Sequence, residues 1–297
     1  MHSYSSSMLP PSDPSSSSSS GAAEPAAPQV AFVMGSGANL GVLQVGMLRA
    51  LVDHGVQPDL IVGSSTGAIN GAAFAYDPTS EGVDALAEVW LQVDPREVVH
   101  RSRVANVLAL TRRRAALNRG EGLRRMLERV LKARTFEELK VRFQCVATDV
   151  LSADERWFSS GPLLDAVTAS CSIPVVLPPV EIDGVPYLDG GLVHDIPLER
   201  AVALGATTVY VTGIGRLQHR WEEPRRPLQV GVQSYWVARK HRFKRDLEAV
   251  PEGVTVHLLP DGEPPPSRFH DLSRAAEVME AAREATAGYL RENVTGA

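Results

Sequence analysis

Apolar residues along this chain follow two patterns, short continuous runs and repeats at helical spacing. Residues 29–35, QVAFVMG, form a continuous apolar run that ends in glycine and predicts a buried strand. Residues 41–55 repeat at helical spacing, and Gly55 ends this pattern like a C-terminal cap. The repeating apolar positions are Val42, Val45, Leu48 and Leu51. A second run, DLIVG at 59–63, precedes a helix-compatible segment rich in Ala and Gly. The resulting order of strand, helix, strand and helix predicts a parallel sheet covered on both faces.

Later segments repeat both patterns and extend the predicted sheet. Residues 84–140 show helical periodicity and contain no clear strand. Further strands are predicted for RFQCVATDV (142–150), ERWFS (155–159) beside it, VPYLDGG (185–191), TTVYVTGI (207–214) and VTVHLLP (254–260). Helices are predicted for GPLLDAVTASCSIP (161–174), IPLERAVALGA (196–206) and the amphipathic segment 271–292. The pattern predicts an α/β protein with three layers, α/β/α, around a mostly parallel central sheet.

The first 28 residues differ in composition from the rest of the chain. They are dominated by Ser, Pro and Ala, with Ser15–Ser20 unbroken, and bury too little apolar surface to offset the entropy of ordering. We therefore expect a disordered tail over residues 1–28 and a single domain over residues 29–297. The 297 residues are 44% hydrophobic and 22% charged, which suits a globular domain with a large core.

Targeting signals and cysteines bear on the location of the protein. The N-terminus has no basic segment followed by an apolar one, and no apolar run reaches the ~18 residues of a membrane span. Cys145 and Cys171 lie in apolar stretches and are too few for a disulfide framework, so we expect small core residues in a reducing compartment. We expect a cytoplasmic protein that contacts membranes at most peripherally.

The first candidate for chemistry is Gly63-Ser64-Ser65-Thr66-Gly67, which matches G-x-S-x-G. A predicted strand precedes it and a predicted helix follows, which is the context of a nucleophile elbow. Such a turn projects the central hydroxyl into a cleft, and the flanking glycines avoid clashes between the strand and the helix. Ser65 is therefore a candidate nucleophile. The alternative is a serine that caps the N-terminus of the helix.

The second candidate is the glycine-rich loop Gly35–Gly41, between the first strand and the first helix. Its glycines let backbone N–H groups converge on an anion, either a ligand phosphate or the oxyanion of an acyl transfer. Dinucleotide binding needs an acidic residue at the end of the second strand, which here ends in Gly63-Ser64-Ser65. The chain also lacks the P-loop sequence. One strand away from a serine elbow, the loop is a natural oxyanion hole.

The third candidate is Asp189, where a predicted strand ends in two glycines. A serine hydroxyl needs a base to take its proton, and a partly desolvated aspartate can serve if the fold brings it to Ser65. The alternative is an ordinary turn aspartate. A Ser-His-Asp triad in the order of α/β-hydrolases needs a late histidine, and none follows a strand in a glycine-flanked loop. Those histidines are His194, His219, His241, His257 and His270.

Together, the glycine loop, the serine elbow and the late Asp-Gly-Gly resemble the patatin-like phospholipase family over about residues 30–213. The resemblance implies a Ser–Asp dyad without a histidine, with Ser65 as the nucleophile and Asp189 as the base. The sequence has no closely spaced His, Cys and carboxylate cluster of the structural-zinc type, and we expect no metal or cofactor. The oxyanion segment that it implies is Gly35, Ser36, Gly37 and Ala38, with the last two N–H groups as the expected donors. The implied reaction is hydrolysis of carboxylic esters of phospholipids or related lipids through an acyl-enzyme.

The chain departs from the resemblance at Leu40, where the family usually carries Arg or Lys before the glycine that matches Gly41. The missing positive charge keeps open a catalytically weak lipid- or acyl-binding protein of the same fold. Two basic clusters, residues 96–142 and 238–245, are candidates for contact with anionic lipid, and the alternative is a solvated helix face. Both lack the interleaved aromatic residues of nucleic-acid modules, so we expect no nucleic-acid partner.

Overall fold

Strands and helices alternate along most of the chain in the computed structural model, which describes residues 27, 29–37, 41–94, 116, 119–213, 223–225, 227–262 and 272–294. The strands in this part of the chain are β1 (Val30–Met34), β2 (Leu60–Ser64), β3 (Arg142–Asp149), β4 (Glu155–Phe158), β5 (Val180–Ile182), β6 (Val185–Asp189), β7 (Thr208–Thr212) and β8 (Thr255–Leu258). The α-helices are α1 (Gly41–Asp53), α2 (Thr66–Tyr76), α3 (Ser80–Gln92), α4 (Glu121–Val130), α5 (Leu163–Ser170), α6 (Leu198–Ala203), α7 (Pro227–Glu248) and α8 (Ala275–Asn293).

All of these strands belong to one mixed sheet. Its order is β5–β6–β3–β2–β1–β7–β8, and β4 also pairs with β3. β1 is parallel to β2 and β7, β2 is parallel to β3, and β7 is parallel to β8. The antiparallel pairs join β4 and β6 to β3, and β5 to β6. The predicted sheet is therefore confirmed: its centre is parallel, and antiparallel strands are added around β3.

Helices cover both faces of the sheet. Successive side chains of β1 point to opposite faces, so Phe32 and Met34 join the core beneath α1, α2, α3 and α8. Ala31 and Val33 join a second core with α6 and with Phe243 of α7. Burial on both faces explains why the central strands read as continuous apolar runs in the sequence. The predicted three-layer α/β/α architecture is confirmed.

Two elements were missing from the prediction, β5 and α7. β5 has three residues, too few to give a periodic signal. α7 has 22 residues, and a buried arginine, Arg239, interrupts its apolar face. Periodicity analysis detects a helix by apolar residues at its buried positions, so it misses a helix with a charged residue at a buried position. The final helix was predicted from residue 271, whereas α8 begins at Ala275.

The two cysteines occupy the core, as predicted. Cys145 in β3 is fully buried, and Cys171 directly after α5 is 5% exposed. Across the described segments, no helix combines the length and the apolar character that crossing a bilayer requires. The proposed tail, residues 1–28, falls almost wholly outside the described residues and stays a prediction.

Candidate active site

Ser65 is the single residue between β2 and α2, at the carboxyl end of a parallel strand. Its backbone has φ 53° and ψ −121°, a conformation that side-chain-bearing residues rarely adopt. This sharp turn reverses the chain from strand to helix and places the positive end of the α2 dipole beside the Ser65 side chain. The local backbone is therefore strained, and the surrounding structure must hold it.

Two glycines allow the strand and the helix to approach each other around Ser65. A β-carbon on Gly67 would lie 2.0 Å from the carbonyl oxygen of Met34 in β1. A β-carbon on Gly63 would lie 2.6 Å from the carbonyl oxygen of Gly67. Both obstacles are backbone atoms, which cannot move aside as a flexible side chain can. Glycine at both positions is thus required by packing, as the elbow interpretation predicts.

The side chain of Ser65 does not cap α2. An N-cap serine would accept a hydrogen bond from an N–H group of the first turn, and the structure has no such bond at Ser65. Its Oγ instead donates to Oδ2 of Asp189 at 2.6 Å. The capping interpretation of Ser65 is therefore not supported, and the hydroxyl faces a carboxylate 124 positions away in the sequence.

β3 is the strand that brings Ser65 and Asp189 together. β2 pairs with β3 as far as Ser64, opposite Val146, and β6 pairs with it through Asp189, opposite Ala147. β4 overlaps both pairings along β3 and therefore takes the other edge. β2 and β6 consequently lie end to end on one edge of β3. The residue that follows β2 and the residue that finishes β6 meet at this junction.

Hydrogen bonds fix both members of the pair. Oδ1 of Asp189 accepts from the N–H group of Gly191 at 2.7 Å, so the turn interpretation of this aspartate also applies. The N–H group of Ser65 donates to Oγ of Ser170 at 3.0 Å. The Asp189 N–H donates to the carbonyl oxygen of Ser172 at 2.9 Å. Ser65 and Asp189 are 6% and 5% exposed, so the pair is shielded from bulk water.

Burial controls the charge state of Asp189. Desolvation raises the pKa of this carboxyl above its usual range, while the Ser65 hydroxyl, the Arg239 charge and the Gly191 N–H group lower it. Desolvation is the largest of these effects, so the net shift is upward. A raised pKa makes the carboxylate a better proton acceptor than an exposed aspartate.

The loop after β1 contains the predicted oxyanion segment, of which the structure describes Gly35, Ser36 and Gly37. The Gly35 N–H donates to the carbonyl oxygen of Thr212 at 3.3 Å, and the Ser36 N–H donates to that of Asp195 at 2.8 Å. These two N–H groups are engaged and are not available to an oxyanion. Ala38 and Leu40 lie outside the described residues.

The described late histidines have other surroundings. Nε2 of His194 contacts the Glu155 carboxylate, and Nδ1 of His257 lies 3.2 Å from the Tyr289 hydroxyl. His241 is exposed on α7. His219 and His270 lie outside the described residues. Within the described part of the chain, the partner of Ser65 Oγ is a carboxylate and not an imidazole.

Sequence reasoning missed Arg239, which it grouped with the basic surface cluster 238–245. This arginine is 6% exposed, and its guanidinium contacts Ser36 of the loop after β1. Arg242 is also partly buried and donates to the carbonyl oxygens of the short turn after Asp189. The cluster is therefore only partly a surface feature. Of the other cluster, Arg112–Arg114 and most neighbouring residues lie outside the described segments.

A cavity of about 240 Å³ lies between α4, α5 and the segment before β5. Its lining includes Thr168 and Ser172, which lie one helical turn apart. Ser170, whose hydroxyl contacts Ser65, lies about half a turn away from both, on the other side of α5. Neither Ser65 nor Asp189 lines the cavity, so we do not assign it to a substrate of this site.

Known proteins resemble this chain in sequence and in fold. The sequence matches the family described as patatin-like phospholipase over residues 32–202. It is 31% identical over 188 residues to patatin-like phospholipase domain-containing protein 7 of Rattus norvegicus, covering 63% of this chain and 14% of that protein. It is 28% identical over 217 residues to an NTE family protein of Mycobacterium tuberculosis, covering 73% of this chain and 57% of that protein. The crystal structure of VipD from Legionella pneumophila shares the fold, with a TM-score of 0.50 at 14% identity, covering 90% of this chain and 67% of that one.

The fold and the site define an α/β protein with a serine elbow and a neighbouring buried carboxylate. The family match covers more than half of the chain, and the chain belongs to the patatin-like phospholipase family. This confirms the family predicted from the three motifs. The chain spans a small part of the rat relative and little more than half of the mycobacterial one.

Proposed function

We propose that this chain is a serine acyl hydrolase that cleaves carboxylic esters of phospholipids or related lipids on a Ser65–Asp189 dyad. The observation that carries the proposal is the 2.6 Å hydrogen bond from Ser65 Oγ to Asp189 Oδ2 between two buried side chains. An elbow that holds the hydroxyl at the end of a strand and a carboxylate within hydrogen-bond distance meet the geometric requirement for nucleophile activation. Membership of the family supports a lipid ester as the substrate class.

The first half of the reaction forms an acyl-enzyme. Asp189 Oδ2 takes the proton as Ser65 Oγ attacks the ester carbonyl carbon, and the carbonyl oxygen becomes an oxyanion. Collapse of this tetrahedral intermediate breaks the ester C–O bond, and the proton held by Asp189 passes to the departing alcohol oxygen. The Gly191 N–H group keeps the carboxylate oriented through Oδ1 during these transfers.

The oxyanion needs donors that are fixed before the reaction starts. Because the N–H groups of Gly35 and Ser36 are engaged in the fold, we assign this role to Gly37 and to the Ala38 predicted from the sequence. The N-terminus of α2, which begins at Thr66, adds a favourable dipole. Gly35 and Ser36 then hold the loop in place and do not touch the oxyanion themselves.

The second half of the reaction releases the fatty acid. A water molecule in the position of the departed alcohol gives its proton to Asp189 and attacks the acyl carbonyl. Collapse of the second intermediate returns the proton to Ser65 Oγ and frees the carboxylic acid. One carboxylate thus serves both halves as the base and then as the acid.

Contact with a membrane surface is part of the proposal, with a smaller cationic patch than the sequence indicated. Lys240, Lys244 and Arg245 remain exposed on α7, whereas Arg239 is buried. Exposed cations attract anionic lipid by roughly 1 kcal/mol each near the surface. Removal of these three charges should weaken binding to anionic vesicles without changing hydrolysis of a soluble ester.

The dyad is tested by comparing Ser65→Ala and Asp189→Asn with the wild-type protein on a short-chain p-nitrophenyl ester. Ser64→Ala is the matched control, because Ser64 Oγ is buried beside the site and has no hydrogen-bond partner among the described residues. Both dyad variants should lose about a thousandfold or more in kcat, and Ser64→Ala should not. A fluorophosphonate probe should label the wild-type and Ser64→Ala proteins and leave Ser65→Ala unlabelled.

The same assay, extended to variants of the late histidines, separates two alternatives. Equal rates in the wild-type protein and both dyad variants would support the non-catalytic lipid- or acyl-binding protein. A loss of about a thousandfold on replacement of one late histidine, with Asp189→Asn nearly active, would support a Ser-His-Asp triad instead.

A further inference from the structure

Arg239 of α7 is buried beside the candidate site. A buried guanidinium is costly unless charged and hydrogen-bonding partners compensate it. It forms an ion pair with the Asp195 carboxylate and donates to Oγ of Ser36. Its Cζ also lies 4.4 Å from the ring centre of Trp236 and 4.8 Å from that of Tyr235, so two aromatic faces pack against the cation.

Ser36 is tied to the same cluster by a second route. Its Oγ donates to the Asp195 carboxylate, and its N–H group donates to the carbonyl oxygen of Asp195. Ser36 is 7% exposed and directly precedes Gly37, the proposed oxyanion donor. The position of that donor therefore depends on a closed cluster of three side chains, and Arg239 is its only cation.

The same guanidinium lies close to Asp189. A β-carbon on Gly191 would be 2.8 Å from Nη2 of Arg239 and 2.9 Å from Oδ1 of Asp189. The two charged groups are thus within about 6 Å of each other, a range in which an opposite charge stabilises a carboxylate. The titratable groups that interact with Asp189 in this part of the site are Arg239, Cys171 and Tyr235.

Of these three groups, Arg239 carries a positive charge at neutral pH. Burial lowers the pKa of Arg239 to about 10, and the Asp189 charge opposes this effect. The thiol of Cys171 and the hydroxyl of Tyr235 have pKa values raised by burial, so both stay neutral. The arginine is therefore the cation that opposes the desolvation of Asp189.

We propose that Arg239 is a positioning residue of the site, which fixes the loop after β1 through Ser36 and places a positive charge within about 6 Å of the Asp189 carboxylate. This inference rests on the proposed function. A lysine at this position would retain the charge, but its compact ammonium would not reproduce the planar guanidinium that packs on Trp236 and Tyr235 while Nη2 contacts Ser36 and Asp195. The two parts of the role are thus separable by substitution.

The test measures kcat and KM against pH for a soluble ester in Arg239→Met, Arg239→Lys and the control Arg291→Met. Arg291 is exposed in the last turn of α8, so its variant removes the same charge outside the site. Arg239→Met should shift the acidic limb of the profile to higher pH by about 0.5 unit or more, because the carboxylate loses its cation. Arg239→Lys should keep the limb in place and lower kcat about tenfold, with little change in KM. Arg291→Met should match the wild-type protein.

Several outcomes would overturn the inference. If Arg239→Met folds and its acidic limb lies at the wild-type pH, the arginine does not act on Asp189. An equal shift of the limb in Arg291→Met would lead to the same conclusion. If Arg239→Met does not fold, Arg239→Lys decides, because wild-type kcat in that variant excludes the positioning role. Ser65→Ala separates the two proposals. If it is inactive while Arg239→Met keeps the wild-type profile, this inference alone fails, and if it stays active the proposed function fails.

Discussion

Replacing Ser65 by glycine should make the protein more stable than replacing it by alanine, although both variants lose the hydroxyl. The reason is the backbone at this residue, with φ 53° and ψ −121°, which glycine adopts without a steric penalty. Alanine keeps the β-carbon and therefore keeps the strain. Both variants also leave Asp189 Oδ2 without its hydrogen bond from Ser65, so that loss cancels in the comparison.

The size of the difference follows from two opposing contributions. A side-chain-bearing residue in a sparsely populated backbone region costs about 1–3 kcal/mol, which glycine recovers. Glycine also increases the entropy of the unfolded chain, which takes back about 0.4–1 kcal/mol. The net gain is then about 1 kcal/mol, which corresponds to a Tm about 2–4 °C higher in a domain of this size.

Thermal unfolding followed by circular dichroism measures this difference, and urea titration gives the free energy of unfolding. Ala276→Gly is the control, because Ala276 is exposed in α8 and glycine there should lower stability by about 1 kcal/mol. Glycine thus has opposite effects at the two positions. If Ser65→Ala is as stable as Ser65→Gly or more stable, the elbow does not store the strain that its backbone angles indicate.

Three further predictions follow from the packing and burial of the site. In urea titrations, Gly67→Ala should lower the free energy of unfolding by about 3 kcal/mol, because its β-carbon would meet backbone atoms. The control Gly231→Ala should be neutral or stabilising, because a β-carbon at this position of α7 meets no other atom. Burial raises the pKa of Asp189 above the ~3.9 that is usual for aspartate, so hydrolysis of a soluble ester should fall as the pH drops through this raised pKa. Full activity at about pH 4 would contradict this prediction. Both cysteines should react with Ellman's reagent only after unfolding, since both are buried and burial raises the pKa of each thiol. Fast labelling of the native protein would contradict their assignment to the core.

The parts of the fold that the sequence predicted well are those in which one physical signal dominates. β1 and β2 are buried on both faces, so each reads as an apolar run, and α1 repeats its apolar residues at helical spacing. The elbow at Ser65 was visible because two glycines are required by close backbone contacts. Asp189 was a candidate because a strand ends there in two glycines, but its distance from Ser65 depends on strand pairing, which no local pattern encodes.

Arg239 shows the opposite case. In the sequence it stands in a run of basic residues, and a charged residue is normally exposed. Its burial depends on Asp195 and Ser36, which lie far away in the chain, and on two aromatic rings of its own helix. Periodicity analysis evaluates one element at a time, so it cannot identify a charge whose partners come from other elements. The same limitation hid α7 itself.

Contacts of its main chain hold Asp189 in place at the end of β6. Its N–H group donates to the Ser172 carbonyl, and its carbonyl accepts from Oγ1 of Thr148 at 2.9 Å, while Ala147 pairs with it across the sheet. The residue is therefore fixed by main-chain contacts and by the end-to-end arrangement of β2 and β6 along β3. It follows that Asp189→Asn should keep the register of the sheet while it removes the base that the proposed function requires.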